Sequence, residues 1–364
     1  MTNNKKHNNN NGLNPNFSNA ETEKAKILSE NKKIGAVACP SNTNVDKAKA
    51  FLVKATHAKY EKITQEGFGY FIAGFSDAES CFVIKVSKSN KTKTEWRLDP
   101  AFEIGLSVKD FSLLKQIQSF FGVGTIRMNK RNNSAVYAVQ SVKDLTNVII
   151  PYFHKYPLIS QKRSDFELFK SAVDIMNQKQ HLNLEGLQEI VNLRASMNNG
   201  LTDKLKDSFS KTKPVTRAEI QFAGIPDPNW LAGFVEGEGC FFISIVKDPV
   251  NFVGYRVSLR FSICQHSRDL ELMKSLMEYL GCGSLVHTQK STVEFVVTRF
   301  ADIQDKIIPF FITYPLHGVK ALNYADFCRA GTLIKNKAHI TEEGLEQIRK
   351  IKAGMNRGRE NTEA

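Results

Sequence analysis

The feature that most limits the fold of this chain is a repeat. FIAGFSDAESCFV at 71–83 returns as WLAGFVEGEGCFF at 230–242, and the same offset of 159 links Gly74 with Gly233, Phe102 with Phe261, Asp110 with Asp269 and Gly122 with Gly281. After one deletion the offset becomes 158, joining Pro151 to Pro309, YPL at 156–158 to YPL at 314–316, Gly186 to Gly344 and Met197-Asn198 to Met355-Asn356. Chance does not hold a register over roughly 130 residues, so one domain is duplicated. The repeats are expected at 66–200 and 229–364, joined by a linker at 201–228 that carries the breakers PVT and IPDP. Residues 1–65 open MTNNKKHNNNNGLNPN, with neither an apolar signal core nor an Arg-rich presequence, and their polarity predicts a disordered extension.

Each half has one order of elements. A short helix (68–79; 228–238) runs into a strand (81–87; 240–246), and a second strand follows (97–106; 255–264). Next come a helix (109–121; 268–280), two more strands around a turn, and closing helices with acidic first turns and basic last turns. The fold class is therefore α+β: two αββαββα repeats, each with an antiparallel sheet.

Strand alternation separates two faces. Phe82, Ile84 and Val86 point inward, opposite Cys81, Val83, Lys85, Ser87 and Ser89; Phe241, Ile243 and Ile245 oppose Cys240, Phe242, Ser244 and Val246. On the second strands the outward residues are Arg97, Asp99, Ala101 and Glu103 in one half and Arg256, Ser258, Arg260 and Ser262 in the other. Such a face is ordinarily solvated. Here the chain carries 50 Lys and Arg against 37 Asp and Glu, a net charge of +13, and an excess of that kind predicts a polyanionic partner. No apolar run reaches the ~18 residues of a membrane span, which favours nucleic acid over a membrane. The six cysteines include no C-x-x-C pair, so neither a zinc site nor a disulfide framework is expected.

In LAGFVEGEG, Ala232, Gly233, Gly237 and Gly239 replace the bulky residues usual in a helix. Each helical glycine costs about 1 kcal/mol relative to alanine, so close approach of a second backbone is expected in return. The first copy offers Ala73 and Gly74, and packing the two segments would relate the halves by a pseudo-twofold axis. Glu79 and Glu238 then meet at helix C-termini, where the macrodipole disfavours a carboxylate by about 0.3–1 kcal/mol. An oxygen-loving divalent cation such as Mg²⁺ removes that penalty.

The segments FIAGFSDAES and WLAGFVEGEG resemble the signature of the LAGLIDADG homing endonucleases in their single-chain form. The resemblance extends to FEIGLSVKD and FSICQHSRD, to GVGTI and GCGSL, to YPLISQKRSDF and YPLHGVKALNYADF, and to the closing GMNRGR. It implies a monomer straddling double-stranded DNA with two β-saddles and cutting both strands to leave 3′ overhangs. It also implies that Glu79 and Glu238 are the catalytic metal ligands, with the carbonyls of Ala78 and Gly237 completing the shells, and that Asp77 and Glu236 are supporting. Gln265 matches a water-ordering glutamine, for which the first half has Leu106, and Lys143 and Arg299 lie near a basic solvent-network position. The DNA-facing set extends to Thr125, Arg127 and Tyr137, and to Ser284, Val286, Thr288 and Glu294. Mg²⁺ is the implied cofactor, with Mn²⁺ able to substitute and Ca²⁺ binding without cleavage. The likeness to fungal mitochondrial intron-encoded members implies a mitochondrial location. Two alternatives stay open: an RNA maturase acting on its host intron, and a DNA-binding protein that has lost cleavage. Ser80 departs from the motif, which usually ends in glycine, and fits only if the backbone there needs no positive φ.

Overall fold

The computed structural model describes residues 63–289 and 291–359, so most of the predicted N-terminal extension lies outside the described residues. Helix α1 (Gln65–Glu79) starts where the Thr64 hydroxyl accepts from Gly67 N at 3.0 Å, and it passes directly into strand β1 (Ser80–Lys88). The chain continues through β2 (Trp96–Ser107), α2 (Phe111–Phe121), β3 (Thr125–Asn129), β4 (Ser134–Val139), α3 (Lys162–Asn177) and α4 (Leu184–Ala195). The second repeat follows suit with α5 (Pro228–Glu238), β5 (Gly239–Lys247), β6 (Tyr255–His266), α6 (Leu270–Leu280), β7 (Ser284–Gln289), β8 (Thr292–Val297), α7 (Lys320–Lys335) and α8 (Glu342–Ala353). Asp227 caps α5 through Asn229 N at 2.7 Å, and Pro228 enters its first turn, where a missing N–H costs nothing.

Both sheets are four-stranded and antiparallel, in the orders β1-β2-β4-β3 and β5-β6-β8-β7. Phe82 pairs with Phe102 and Phe241 with Phe261, placing four rings under the sheets. There the first pair meets Phe153, Phe166 and Phe169, and the second meets Phe311, Tyr324 and Phe327. These clusters merge through α1 and α5 into one core that runs across both repeats. Before α3 and α7 the helical backbone widens into π turns at Leu145–Ile149 and Ile303–Ile307. Pro151 and Pro309 follow directly, and their rings would crowd a regular turn.

Three expected outward residues are buried: Tyr137, Ser262 and Ala101, the last a small side chain that keeps its expected parity opposite Val83 on the inner strand β2. Tyr137 lies buried between Ile104 and Ile126 on the core side, with its hydroxyl donating to the Val123 carbonyl at 2.9 Å. The parity expected for β4 is off by one, and Val136 holds the outward position that Glu294 occupies in β8. Ser262 has the expected parity yet is buried, since its short side chain sits on an inner strand between Cys240 and Val296. The linker is strapped to the first repeat: Arg217 makes a two-pronged contact with Asp165 at 2.7 and 3.1 Å and donates to the Ser196 carbonyl.

Candidate active site

Helices α1 and α5 meet where their facing residues lack side chains. A Cβ on Gly74 would stand 1.8 Å from the Trp230 carbonyl oxygen, and one on Gly233 would stand 1.9 Å from that of Phe71. The two backbones therefore touch, which is the return expected for placing glycine inside a helix. Near the ends of the helices a Cβ on Gly237 would collide with Ala78 at 2.3 Å and reach Glu79 Cγ at 3.0 Å, so the first glutamate leans over the second helix.

Ser80 sits in extended backbone (φ −82°, ψ 160°) and Gly239 nearly matches it (φ −75°, ψ 150°). Neither position uses glycine's freedom. The difference arises one turn earlier: a Cβ on Gly239 would fall 2.5 Å from Val235 Cγ1, whereas Ser80 follows the smaller Ser76 and donates to its carbonyl at 2.6 Å.

Burial first, and then the charge of Glu79, push the Glu238 carboxyl above the usual range, while a hydrogen bond from Gln265 and the charges of Lys162 and Lys320 pull it back. Leu106 replaces that glutamine in the first repeat and lines, with Glu79, Gly237 and Lys320, an open cleft of about 380 Å³. The two half-sites therefore differ in hydrogen-bonding capacity. Lys143 and Arg299 are both exposed on the turns after β4 and β8, and the cations acting on Glu238 are Lys162 and Lys320 instead.

Those two lysines were not singled out by sequence. Lys162 Nζ donates to the carbonyls of Ser76, Ala78 and Ser80 at 3.0, 3.1 and 2.7 Å; Lys320 Nζ donates to those of Val235 and Gly237 at 3.0 and 2.6 Å. Each ammonium thus caps the negative end of a motif helix. Burial lowers the pKa of both, and the carboxylates of Asp77 and Glu236 lead the opposing pull. The carbonyls of Ala78 and Gly237 are consequently engaged, each with one lone pair left. The signal was present, since the lysines keep the 158-residue offset inside YPLISQK and YPLHGVK. Their distance along the chain from Glu79 and Glu238 concealed their role.

Asp77 and Glu236 belong to this arrangement as supports. Asp77 accepts from Ile159 N, Ser160 N, Ser160 Oγ and Trp230 Nε1 at 2.5–3.2 Å, and Glu236 accepts from His317 N and Gly318 N at 2.8 and 3.0 Å. Each buried acid fixes the loop that delivers a lysine. Burial raises the Asp77 carboxyl to about 6.

On the open sheet faces, Lys85, Arg97, Arg127, Phe242, Val246, Arg256 and Ser258 are exposed, as are Thr125, Ser284, Val286 and Thr288. Arg260 is held by Glu294 at 2.6 Å, Arg127 lies 3.5 Å from Glu103, and Arg97 lies 2.7 Å from Asp99. These acids hold the guanidinium groups in place on the face. Cys81, Val83, Ser87, Ser89, Cys240 and Ser244 share it between the charged groups.

The profile of the LAGLIDADG endonuclease family matches residues 72–173 and 231–330. The chain is 41% identical over 297 residues to probable intron-encoded endonuclease 2 of Neurospora crassa, covering 78% of this chain and 64% of that protein's length. It thus spans less than two thirds of that relative. Among solved structures, I-SmaMI bound to an uncleaved DNA target with calcium ions superposes with a TM-score of 0.77 at 42% identity, covering 80% of this chain and 99% of that one. The I-LtrWI LAGLIDADG homing endonuclease bound to target DNA gives a TM-score of 0.79 at 40% identity, covering 82% and 100%. With both motif copies, both antiparallel sheets and the glycine-mediated helix contact accounted for, the chain belongs to the LAGLIDADG endonuclease family, in its two-repeat single-chain form.

Proposed function

We propose that the protein is a site-specific endonuclease that binds a long, asymmetric DNA duplex on its two sheet faces and cuts both strands between them. The observation that carries this reading is the placing of Glu79 and Glu238 at the ends of two touching helices, each helix passing directly into the first strand of a sheet. The net charge of +13 supports a polyanionic substrate.

The donor set fits a hard divalent cation. It contains oxygen ligands only, and burial together with like charge already disfavours the ionised Glu238, a cost that a bound cation offsets. Among the described residues no cluster of three or more His, Cys, Asp or Glu side chains forms, so Glu79 and Glu238 would hold the ion with the carbonyls of Ala78 and Gly237 and with substrate phosphate. Such an ion polarises the phosphoryl oxygen and lowers the pKa of the attacking water. Mg²⁺ is the proposed physiological ion, Mn²⁺ its substitute, and Ca²⁺ a binder that does not support cleavage.

The chain's own groups do the rest. Lys162 and Lys320 set positive charge beside the two carboxylates, where charge develops on the phosphate. Gln265, bonded to Glu238, orients water on one side only, so the two strands are cut at unequal rates. The exposed sheet residues read base edges while flanking cations hold phosphates. The intron-encoded relative and the single-chain architecture support a mitochondrial intron as the source and a monomer as the working form.

Cleavage of a target selected from randomised duplex DNA tests the reading. Glu79→Gln or Glu238→Gln should slow double-strand cleavage by roughly a hundredfold or more. Binding in Ca²⁺ should change far less, and an equal loss of binding would remove the carboxylates from the metal role.

A further inference from the structure

The two halves exchange a contact that the catalytic glutamates do not explain. Asp110, in the SVKD turn after β2, accepts at Oδ1 from Val319 N of the second repeat at 2.7 Å. Asp269, in the HSRD turn after β6, accepts at Oδ1 from Gln161 N of the first repeat, also at 2.7 Å. Val319 and Gln161 are the N-cap residues of α7 and α3, neither of which caps its helix with its own side chain. The residues immediately after them are Lys320 and Lys162.

We propose that Asp110 and Asp269 are positioning residues, each setting the active-site lysine of the opposite repeat. Three observations converge. The contact occurs twice, with pseudo-twofold symmetry, between positions 159 apart on one side and 158 apart on the other. Each carboxylate meets a helix N-terminus, where negative charge is favoured, and accepts from the N–H of its N-cap residue. In the second repeat the contact is close-packed: a Cβ on Gly318 would stand 2.6 Å from Asp110 Oδ1 and 2.7 Å from Glu236 Oε1, where the first repeat carries Ser160. Asp77 or Glu236 fixes each loop from within its own repeat, and the crossed aspartate fixes it from the other. Because β2 and β6 also cross the open faces, seating DNA on one sheet bears on the lysine of the other half.

The inference rests on the proposed cleavage of both strands, and adds to it that Lys162, bound to the end of α1, and Lys320, bound to the end of α5, each serve one strand cut. Both are tested with an end-labelled target duplex on which the two strands are followed separately. Lys320→Ala should slow one strand and Lys162→Ala the other; absence of strand bias in these two variants overturns that reading. Asp110→Ala should then slow the Lys320 strand about tenfold relative to its partner, and Asp269→Ala the Lys162 strand. Asp→Asn, which keeps the accepting oxygen, should return each to within about threefold. Adding Asp110→Ala to Lys320→Ala should slow that strand no further. Lysine variants with strand bias beside aspartate variants that slow both strands equally, or neither, overturn the inference alone. Melting temperature and Ca²⁺-supported binding identify any variant that does not fold. In that case Asp110→Glu and Asp269→Glu, which displace the contact without removing the acceptor, should give the same strand bias, and equal slowing of both strands again overturns the inference.

Discussion

At the scale of single residues, the paired acids of the two motifs have separate places. Glu79 and Glu238 are the last residues of their helices, whereas the carboxylates of Asp77 and Glu236 are consumed in holding loops. Motif position and the helix macrodipole single out the first pair in the sequence, whereas the bonds from the second pair to the loops that carry Lys162 and Lys320 join segments far apart in the chain. His317 illustrates the residue scale further. It packs edge-on against Phe71 at 4.5 Å and Phe68 at 5.3 Å, and burial drops its pKa to about 4. A histidine depressed on folding contributes stability that is complete above its unfolded pKa, about 6.5, and is lost as pH falls toward 4. Replacing it with isoleucine, the residue at the matching Ile159, should flatten the acid limb of the stability curve between those values, by an amount on the order of 3 kcal/mol. Denaturant unfolding at a series of pH values measures the slope, and an unchanged slope would assign the acid limb to other groups.

At the scale of elements, most of the order was legible. The helix–strand–strand–helix–strand–strand sequence and the inward Phe82 and Phe102 follow from alternation, because one face of each sheet is buried. Tyr137 was misplaced because β4 reads AVYAV, with apolar residues on both faces, so no alternation fixes its parity. Helix ends also depend on neighbours one turn away. Gly239→Ser should destabilise the protein by about 1–3 kcal/mol through overpacking against Val235. Combined with Val235→Ser, which recreates the Ser76–Ser80 arrangement, the loss should be smaller than the sum of the two single losses. Thermal or denaturant unfolding of the three variants closes the cycle, and strict additivity would show that Val235 is not the obstacle.

At the scale of the whole molecule, the repeats share one core and one site, so neither half is complete alone. The proposed saddle neutralises several phosphates at once, and affinity for the selected duplex should fall steeply as salt is raised from 50 to 200 mM, by about a thousandfold or more. Titration in Ca²⁺ at several salt concentrations gives the slope, and a shallow one would argue that few of the exposed cations meet the backbone. The duplication, the α+β order, the touching helices and the two glutamates were determined by sequence alone, since each depends on spacing or on residue size within a short window. Tertiary structure alone decided what surrounds those glutamates: Lys162 and Lys320 arrive from far along the chain, and Asp110 and Asp269 hold the lysine-bearing loops from across the pseudo-twofold axis. Hydrogen bonds between distant segments leave no periodicity in a sequence. They exist only once the packed helices have fixed the distance between the two halves.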